Sequence, residues 1–296
     1  MTNSGHGAII VRVVGGLGNQ MFQYACGRAA ALRSRGQLLL DLSAFERYKL
    51  HHYGLDAFRI TAQTAPRRLQ TGSALQASLR RLGLTTDLQL TLQGFDCIKE
   101  GEDLAFQSCM LEHHAKAYLD GYWQDETYFA DAADILRAEF QLRRLGATPN
   151  ARAITDDDSP LVSLHIRRGD YVHNPMDNSV HGVLGLDYYR DAIRLLAKRI
   201  GERFRIVVFS DDIEWARQNL AFRQPLSFFS GSTATPHEDL HIMASCDHHI
   251  IANSTFSWWG AWLNPSSTKV VVTPKCWFVA SRLAHRHICP PSWERI

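Results

Sequence analysis

The sequence holds no Cys-x-x-Cys pair, no apolar run long enough to span a membrane and no long basic tract. Each absence removes a class of protein. The six cysteines, at positions 26, 97, 109, 246, 276 and 289, stand apart from one another. That spacing speaks against a structural zinc site, and a chain of 296 residues does not need disulfide staples. Reduced, mostly buried thiols of a cytosolic protein are the expectation. A membrane helix needs roughly 20 apolar residues in succession, and nothing here approaches that. The opening MTNSGHGAIIVRVVGGLG lacks a basic start and carries Arg12 within its apolar run, so it does not read as a signal peptide. A net charge of +2 without a basic cluster gives a nucleic acid no electrostatic footprint. Among 14 histidines, the adjacent pairs 51–52, 113–114 and 248–249 do not share a helix face, so they make poor metal ligands.

What is present is ordinary globular material, 45% hydrophobic and 21% charged, in a chain long enough for two cores. Apolar runs predict strands at 8–14, 37–40, 117–119, 161–164, 204–209, 226–229, 248–251 and 269–272. Helical patterns fall at 20–35, 126–140, 188–200, 213–220, 237–245 and 254–263, with a basic one at 74–82. Asn19 and Asp187 are the expected N-caps, and Gly36 and Gly201 the expected stops. The clearest linker is 145–160, with Gly146, Pro149, Asn150, three aspartates at 156–158 and Pro160. Strands alternating with helices at this spacing mean βαβ units and parallel sheets. Right-handed crossovers then bring every loop after a strand to one rim, the rim where such sheets bind ligands.

The chemistry lies in those loops. Gly15, Gly16 and Gly18 stand between a strand and a helix, where backbone can approach an anion closely. A dinucleotide fingerprint is suggested, with Asp41 as the ribose acid, but its third glycine position is Met21, so the strict pattern is absent. Tyr122 and Trp123 could stack on a sugar or fill a domain edge. In the second half, LVSLHIRRGD at 161–170 ends a strand in His165, Arg167 and Arg168. A guanidinium fork matches phosphate oxygens, and neighbouring residues of a strand point to opposite sides. One arginine can therefore hold phosphate while the other pairs with a carboxylate. Asn253, Ser254 and Thr255 open a helix, as a phosphate cradle or a plain cap; Phe256 at the rim could flank a nucleobase. Asp211 and Asp212 could hold a metal on a diphosphate, accept hydrogen bonds from a base or ribose, or cap a helix. Asp247 is expected to reach the same crevice. Arg67, Arg68, Arg80 and Arg81 surround the basic helix, either a surface resting on an anionic membrane or a solvated face. Arginine, helix N–H groups and acids together describe a nucleotide-diphosphate-sugar site, in which Arg167 stabilises the leaving diphosphate.

Five stretches carry a family resemblance: GGLGNQMFQYA at 15–25, GYWQDETYF at 121–129, HIRRGDYV at 165–172, FSDD with IEW at 209–215, and CDHHIIANSTFSWWGAWL at 246–263. In this order they resemble glycosyltransferase family 11, the α-1,2-fucosyltransferases, and its bacterial members in particular. The resemblance implies an α/β fold of two Rossmann-like domains facing across a GT-B-like cleft. Residues 1–150 would form the acceptor side with the glycine loop 15–20. Residues 151–296 would bind GDP-fucose, with the last residues able to pack back on the first domain. The implied reaction is inverting transfer of L-fucose from GDP-β-L-fucose to the 2-hydroxyl of a terminal β-galactoside, free or lipid-linked, in cell-surface polysaccharide or oligosaccharide synthesis. GDP-fucose would be a co-substrate, with no metal or other cofactor. The implied place is the cytoplasm, at the inner face of the membrane through peripheral contact.

By the motifs, Arg167 resembles the diphosphate contact and Arg168 an internal ion pair. His165 and Asp247 resemble nucleoside contacts, with Asp211 beside them. Asn253, Ser254, Thr255 and Phe256 resemble the helix-start cradle. Gly18 and Asn19 resemble a loop reaching from the first domain to the donor, and Asn19 joins Arg167 and Asp170 as a catalytic candidate. Trp123, Tyr122 and His173 are the acceptor candidates. Asp170, His173 and Asp177 compete as general base, with a phosphate oxygen as the alternative. Other readings are a transferase of different linkage, a metal-dependent transferase, a non-catalytic GDP-sugar binder and an NAD(P) oxidoreductase. The segment 60–115 matches no motif, and acceptor choice is expected there.

Overall fold

Ile9, Ile10 and Val11 are fully buried, as a strand covered on both faces requires. They form β1 (Ala8–Arg12) in a computed structural model that describes residues 7–46, 51–71, 86–144, 158–229, 235–283, 286 and 288–296. The chain divides into two compact units, Met1–Arg143 and Arg144–Ile296. The first unit adds β2 (Gln37–Asp41), β3 (Gln63–Thr64), β4 (Asp96–Lys99) and β5 (Lys116–Asp120). Their order is β3-β2-β1-β5-β4, with every pairing parallel. Helix α1 (Leu17–Arg33) crosses from β1 towards β2 and lies close on the sheet. A Cβ at Gly27 would stand 2.9 Å from Leu38 Cδ1 and 3.0 Å from Val11 Cγ2.

Several expectations change in this unit. The helix begins at Leu17 after Gly16, so Gly18 and Asn19 lie in its first turn, and Asn19 is not its cap. Asp41 is fully buried and accepts from Ser43 N, Thr71 N, Thr71 Oγ1 and Tyr118 Oη. It is a structural acid, and its hydrogen bonds leave it unsuited to hold a ribose. Helix α2 (Thr86–Leu92) precedes β4. The helix expected over 126–140 is two 3-10 turns, Glu126–Tyr128 and Ala130–Ala132, leading into α3 (Ala133–Glu139). The cause is local: the Asp125 carboxylate accepts from Thr127 N at 2.9 Å, and Phe129 leaves helical dihedrals at φ −140°. At the far end of α3, Glu139 is buried but paired, to Arg28 at 2.8 Å and Tyr24 Oη at 2.5 Å.

The second unit is built on β6 (Leu161–Ile166), buried at all six positions. Val162, Leu164 and Ile166 face one core with Tyr189, Leu196, Ile206 and Val208. Leu161 faces a second core with Phe209, Ile242 and Met243. The alternation is the pleat of a strand whose two faces are both covered. After β6 come α4 (Gly169–His173), α5 (Pro175–His181) and α6 (Leu186–Ile200). Then follow β7 (Arg205–Ser210), α7 (Ile213–Asn219), β8 (Leu226–Phe229), α8 (Pro236–Ala244), β9 (His248–Ile250), α9 (Thr255–Leu263), β10 (Val271–Thr273) and β11 (Glu294–Arg295). The sheet order is β11-β10-β9-β6-β7-β8, all parallel.

Gly185, not Asp187, stands at the start of α6; Asp187 occupies the first turn and pairs with Arg190 at 2.9 Å. Gly201 ends the helix at φ +90°. Helix α9 carries a tryptophan cluster. Trp258 packs 5.0 Å from Trp259, 6.1 Å from Trp262 and 5.5 Å from Trp293 between ring centres. Gly260 leaves room there for Met243 of α8. Both units are thus α/β with parallel sheets. The basic helix at 74–82 and most of the linker fall outside the described residues. Among the described residues, no helix is long and apolar enough to cross a membrane, and all six cysteines are free.

Candidate active site

Each sheet has a point where strand order reverses, and the crevice there, outside the carboxyl ends of the strands, is where open α/β sheets take ligands. In the second unit it lies between β6 and β9. The loop after β6 holds Arg167 and the loop after β9 holds Ser254. Arg167 stands between two carboxylates, Asp170 at 2.8 Å and Asp211 at 3.0 Å, with its guanidinium 5.5 Å from the Tyr171 ring. Burial opposes its charge, but Asp211 and Asp170 outweigh that and keep it cationic. The side chain retains 27% exposure, so it is fixed yet reachable.

Arg168 turns away. Its Nε lies 3.3 Å from Asp212 and its guanidinium stacks 3.8 Å over Trp215, the internal pair that was expected. Asp212 caps α7 by accepting from Trp215 N at 3.2 Å. Asp211 is similarly occupied: one oxygen meets Arg167, and the other accepts from Arg168 N at 2.9 Å. These two acids hold arginines rather than presenting themselves to a nucleoside or a metal. Among the described residues, no group of three His, Cys, Asp or Glu could hold a metal ion.

Gly169 makes this possible. A Cβ there would lie 2.7 Å from Asp211 Oδ2. Gly169→Ala should therefore displace the carboxylate that aims Arg167. The expected result is at least a tenfold loss of kcat/KM with only a small change in Tm, measured by kinetics and thermal melting. Unchanged kinetics would show that Asp211 does not set the arginine.

The other residues sort by position. Ser254 stands at the N-cap of α9, and its hydroxyl makes no cap bond. The N–H groups of Thr255, Phe256 and Ser257 make no hydrogen bond among the described residues, as the first turn of a helix dictates. They offer an anion site beside the arginine. His165, 5% exposed, lies 5.8 Å from the Phe256 ring. Burial, and then Arg167, lower its pKa to about 3, so the ring is neutral, and its Nδ1 has no partner. Asn253 serves the fold: its Nδ2 donates to His181 O and Trp277 O, and its carbonyl accepts from Tyr171 Oη. Asp170 holds Arg167 and its own neighbour Tyr171 N, while Asp177 accepts from Asn174 Nδ2. His173 is exposed on α4.

Asp247 is a correction. It precedes β9, and its Oδ2 accepts from Leu161 N at 2.8 Å, at the start of β6. In a parallel sheet, residues that begin strands sit on the amino edge, so Asp247 is a full strand length from the crevice. Another acid, not anticipated from the sequence, lies on an element that starts at the carboxyl rim. Asp239 lies in the first turn of α8, the helix that runs back from the carboxyl rim after β8. One turn further on, Ile242 and Met243 pack with Phe209, Phe229 and Phe256. The Asp239 Oδ1 atom is buried without a partner, and burial followed by Glu238 pushes the carboxyl up to about 7.

In the first unit the crevice lies between β1 and β5. Gly15 turns there at φ +85°, a conformation that favours glycine. Gln20 and Gln23 are fully buried and stitch the loop. Gln20 Nε2 donates to Gly15 O and His52 O, Gln23 Oε1 accepts from Val14 N, and Gln23 Nε2 donates to Gly121 O. Trp123 corrects the sugar-stacking expectation: it is fully buried, edge-on to Tyr128 at 5.7 Å. Its unusual φ of +54° is held by Glu100, which accepts the N–H groups of Tyr122 and Trp123. Tyr122 is 38% exposed and remains reachable.

A cationic fork and an open helix start at the switch point of a parallel sheet make a place for an anionic ligand. The particular class is set by comparison: the chain matches Glycosyl transferase family 11 over residues 2–296 and belongs to that family. It is 34% identical to an Escherichia coli alpha-1,2-colitosyltransferase, covering 97% of this chain and 98% of that one. It is 33% identical to the Escherichia coli O-antigen biosynthesis glycosyltransferase WbnK, over 90% and 94% respectively. A gorilla galactoside alpha-(1,2)-fucosyltransferase 1 is 28% identical over 86% of this chain, which spans 64% of that longer protein.

Proposed function

We propose that this glycosyltransferase moves L-fucose from GDP-β-L-fucose to the 2-hydroxyl of a terminal β-galactoside, with inversion, in the synthesis of a cell-surface polysaccharide or oligosaccharide. The observation that carries the reading is Arg167, clamped by Asp170 and Asp211 beside the open start of α9. As the bond from fucose C1 to the phosphate oxygen breaks, positive charge grows on the sugar and negative charge on the diphosphate. Arg167, the Ser254 hydroxyl and the N–H groups of Thr255 and Phe256 meet the latter without having to move, which is the arrangement that lowers a barrier electrostatically. The acceptor oxygen forms the new bond to C1 and passes its proton to His173 or to a phosphate oxygen of the departing GDP, Asp170 and Asp177 being engaged by Arg167 and Asn174. The neutral His165 and the Phe256 ring flank the base, and the two oxygens of Asp239 match the paired N–H donors of guanine. Gly18, Asn19, Tyr122 and His173 stay as proposed ligand contacts.

A second reading rests on a specific observation. The 34% identity to a colitosyltransferase spans nearly the whole of both chains, and colitose differs from L-fucose by the loss of one hydroxyl. The linkage named for that relative and for the galactoside fucosyltransferase is the same, α-1,2. Incubation with GDP-fucose and with GDP-colitose, each against a panel of β-galactosides, separates the two. Mass and linkage analysis of the products should show a 1,2-linked deoxy sugar. A different linkage, or no product from either donor, would defeat the proposal. No metal is proposed, because Asp211 and Asp212 are committed to Arg167 and Arg168. Excess EDTA in the same assay should leave the rate unchanged, and a loss restored by Mg²⁺ or Mn²⁺ would favour a metal-dependent transferase.

A further inference from the structure

Asn19 sits in the first turn of α1, beside the Gly15 bend and at the switch point of the first sheet. Its Oδ1 accepts a hydrogen bond from Gln124 Nε2 at 2.9 Å. The Gln124 side chain belongs to a buried residue on the loop after β5, so this bond joins the start of α1 to the other loop that borders the crevice. The Asn19 Nδ2 atom lies over the bend, 3.0 Å from where a Gly15 Cβ would be. It makes no hydrogen bond to any described residue. An amide whose oxygen is held and whose nitrogen is not presents two N–H donors in a fixed direction.

We infer that Gln124 is a positioning residue for transfer: by donating to Asn19 Oδ1 it fixes which end of that amide faces the crevice. Reversed, the amide would offer an oxygen instead of two donors. The group so recognised is an oxygen acceptor, a phosphate or sugar oxygen of a substrate. The surroundings support a built arrangement rather than a chance contact. Gln124 follows Trp123, whose φ of +54° is held through its N–H by Glu100. The neighbouring carbonyl of Gly121 is tied to α1 by Gln23. The loop is therefore pinned on both sides of the side chain that orients Asn19. The inference rests on the proposal that Asn19 touches a substrate.

The test is Gln124→Glu. The carboxylate accepts where glutamine donates, so Asn19 should turn its Nδ2 towards that carboxylate and its oxygen to the crevice. Removing one preorganised donor of this kind costs about 10²–10³ in rate, and kcat/KM should fall by roughly that factor at pH 8. Protonation returns a donor to the site. The ratio of variant to parent activity should therefore rise as pH falls from 8 to 5, and Gln124→Leu should show the loss without the recovery. Thermal melts of both variants identify any that fail to fold. A Gln124→Glu ratio near one at pH 8, or a loss that pH does not relieve, would overturn the inference. Asn19→Ala separates the two levels. If it is inactive while Gln124→Glu is normal, only the positioning role fails; if Asn19→Ala is itself normal, the substrate contact fails and this inference with it.

Discussion

Arg167→Ala should lower turnover by about 10²–10³, a barrier increase of roughly 3–4 kcal/mol, while the protein still melts cooperatively. Survival of the fold follows from position. Arg167 stands past the end of β6 with part of its side chain in solvent, and the core residues of that strand, Val162, Leu164 and Ile166, are untouched. The kinetic loss has two parts. The leaving diphosphate loses its cation, and Asp170 and Asp211, now unpaired, face it with like charge. Donor affinity should fall together with kcat. Arg167→Lys should recover part of the charge effect but not the fork that spans both carboxylates, so its activity should lie between alanine and the parent. Steady-state kinetics with GDP-fucose, or GDP-colitose if that is the donor used, decide it. Turnover within threefold of the parent in the alanine variant would remove Arg167 from the reaction.

GDP should bind more weakly as the pH falls below about 7, and Asp239→Asn should flatten that dependence. The sign follows from the carboxyl at Asp239, raised to about 7 by burial and by Glu238. Only the ionised form can accept both N–H donors of guanine. Below its pKa a proton must leave before the base can bind, so affinity falls towards a limit of tenfold per pH unit. Asparagine offers one acceptor and one donor. It leaves a guanine N–H facing an N–H, a mismatch of about 1–3 kcal/mol and so about ten- to a hundredfold in Kd. The same raised pKa acts on the unliganded fold. The neutral carboxyl's contribution is present below the unfolded value near 4 and is lost as pH rises through about 7. The asparagine variant should therefore melt higher than the parent at pH 8 and gain less at pH 5. Calorimetric titration with GDP and melts across this range test both statements; a GDP affinity flat from pH 8 to pH 5 in the parent would sink the guanine contact.

The strands were the most legible part of the sequence. Runs such as FRIVVF and LVSLHI are short and rich in apolar and β-branched residues, the composition that favours a covered strand over a helix. Gly201 was a legible stop because it takes a left-handed conformation, whereas α1 already ends at Arg33 and it is Arg35, not Gly36, that turns left-handed. The site was half legible. Arg167 and the start of α9 could be read because two loops after strands must share a rim. Asp247 misled because sequence nearness to a strand does not say which edge it occupies. Asp239 carried no signal, since an acid in a first helical turn ordinarily complements the helix dipole. Trp123 and the 126–140 segment failed through backbone choices made elsewhere, by Glu100 and Asp125. Gln20 and Gln23, which the sequence did not single out, stitch the glycine loop.

Six of the seven tryptophans lie in the second unit, at positions 215, 258, 259, 262, 277 and 293. Four of them form the stack around α9, and Trp215 lies against a guanidinium. Intrinsic fluorescence is thus close to a private probe of one half of the chain, whereas far-ultraviolet dichroism averages over both. Denaturation curves recorded by the two signals will coincide only if the halves unfold together. Any offset between them measures, without labels or truncation, how independently the two halves come apart.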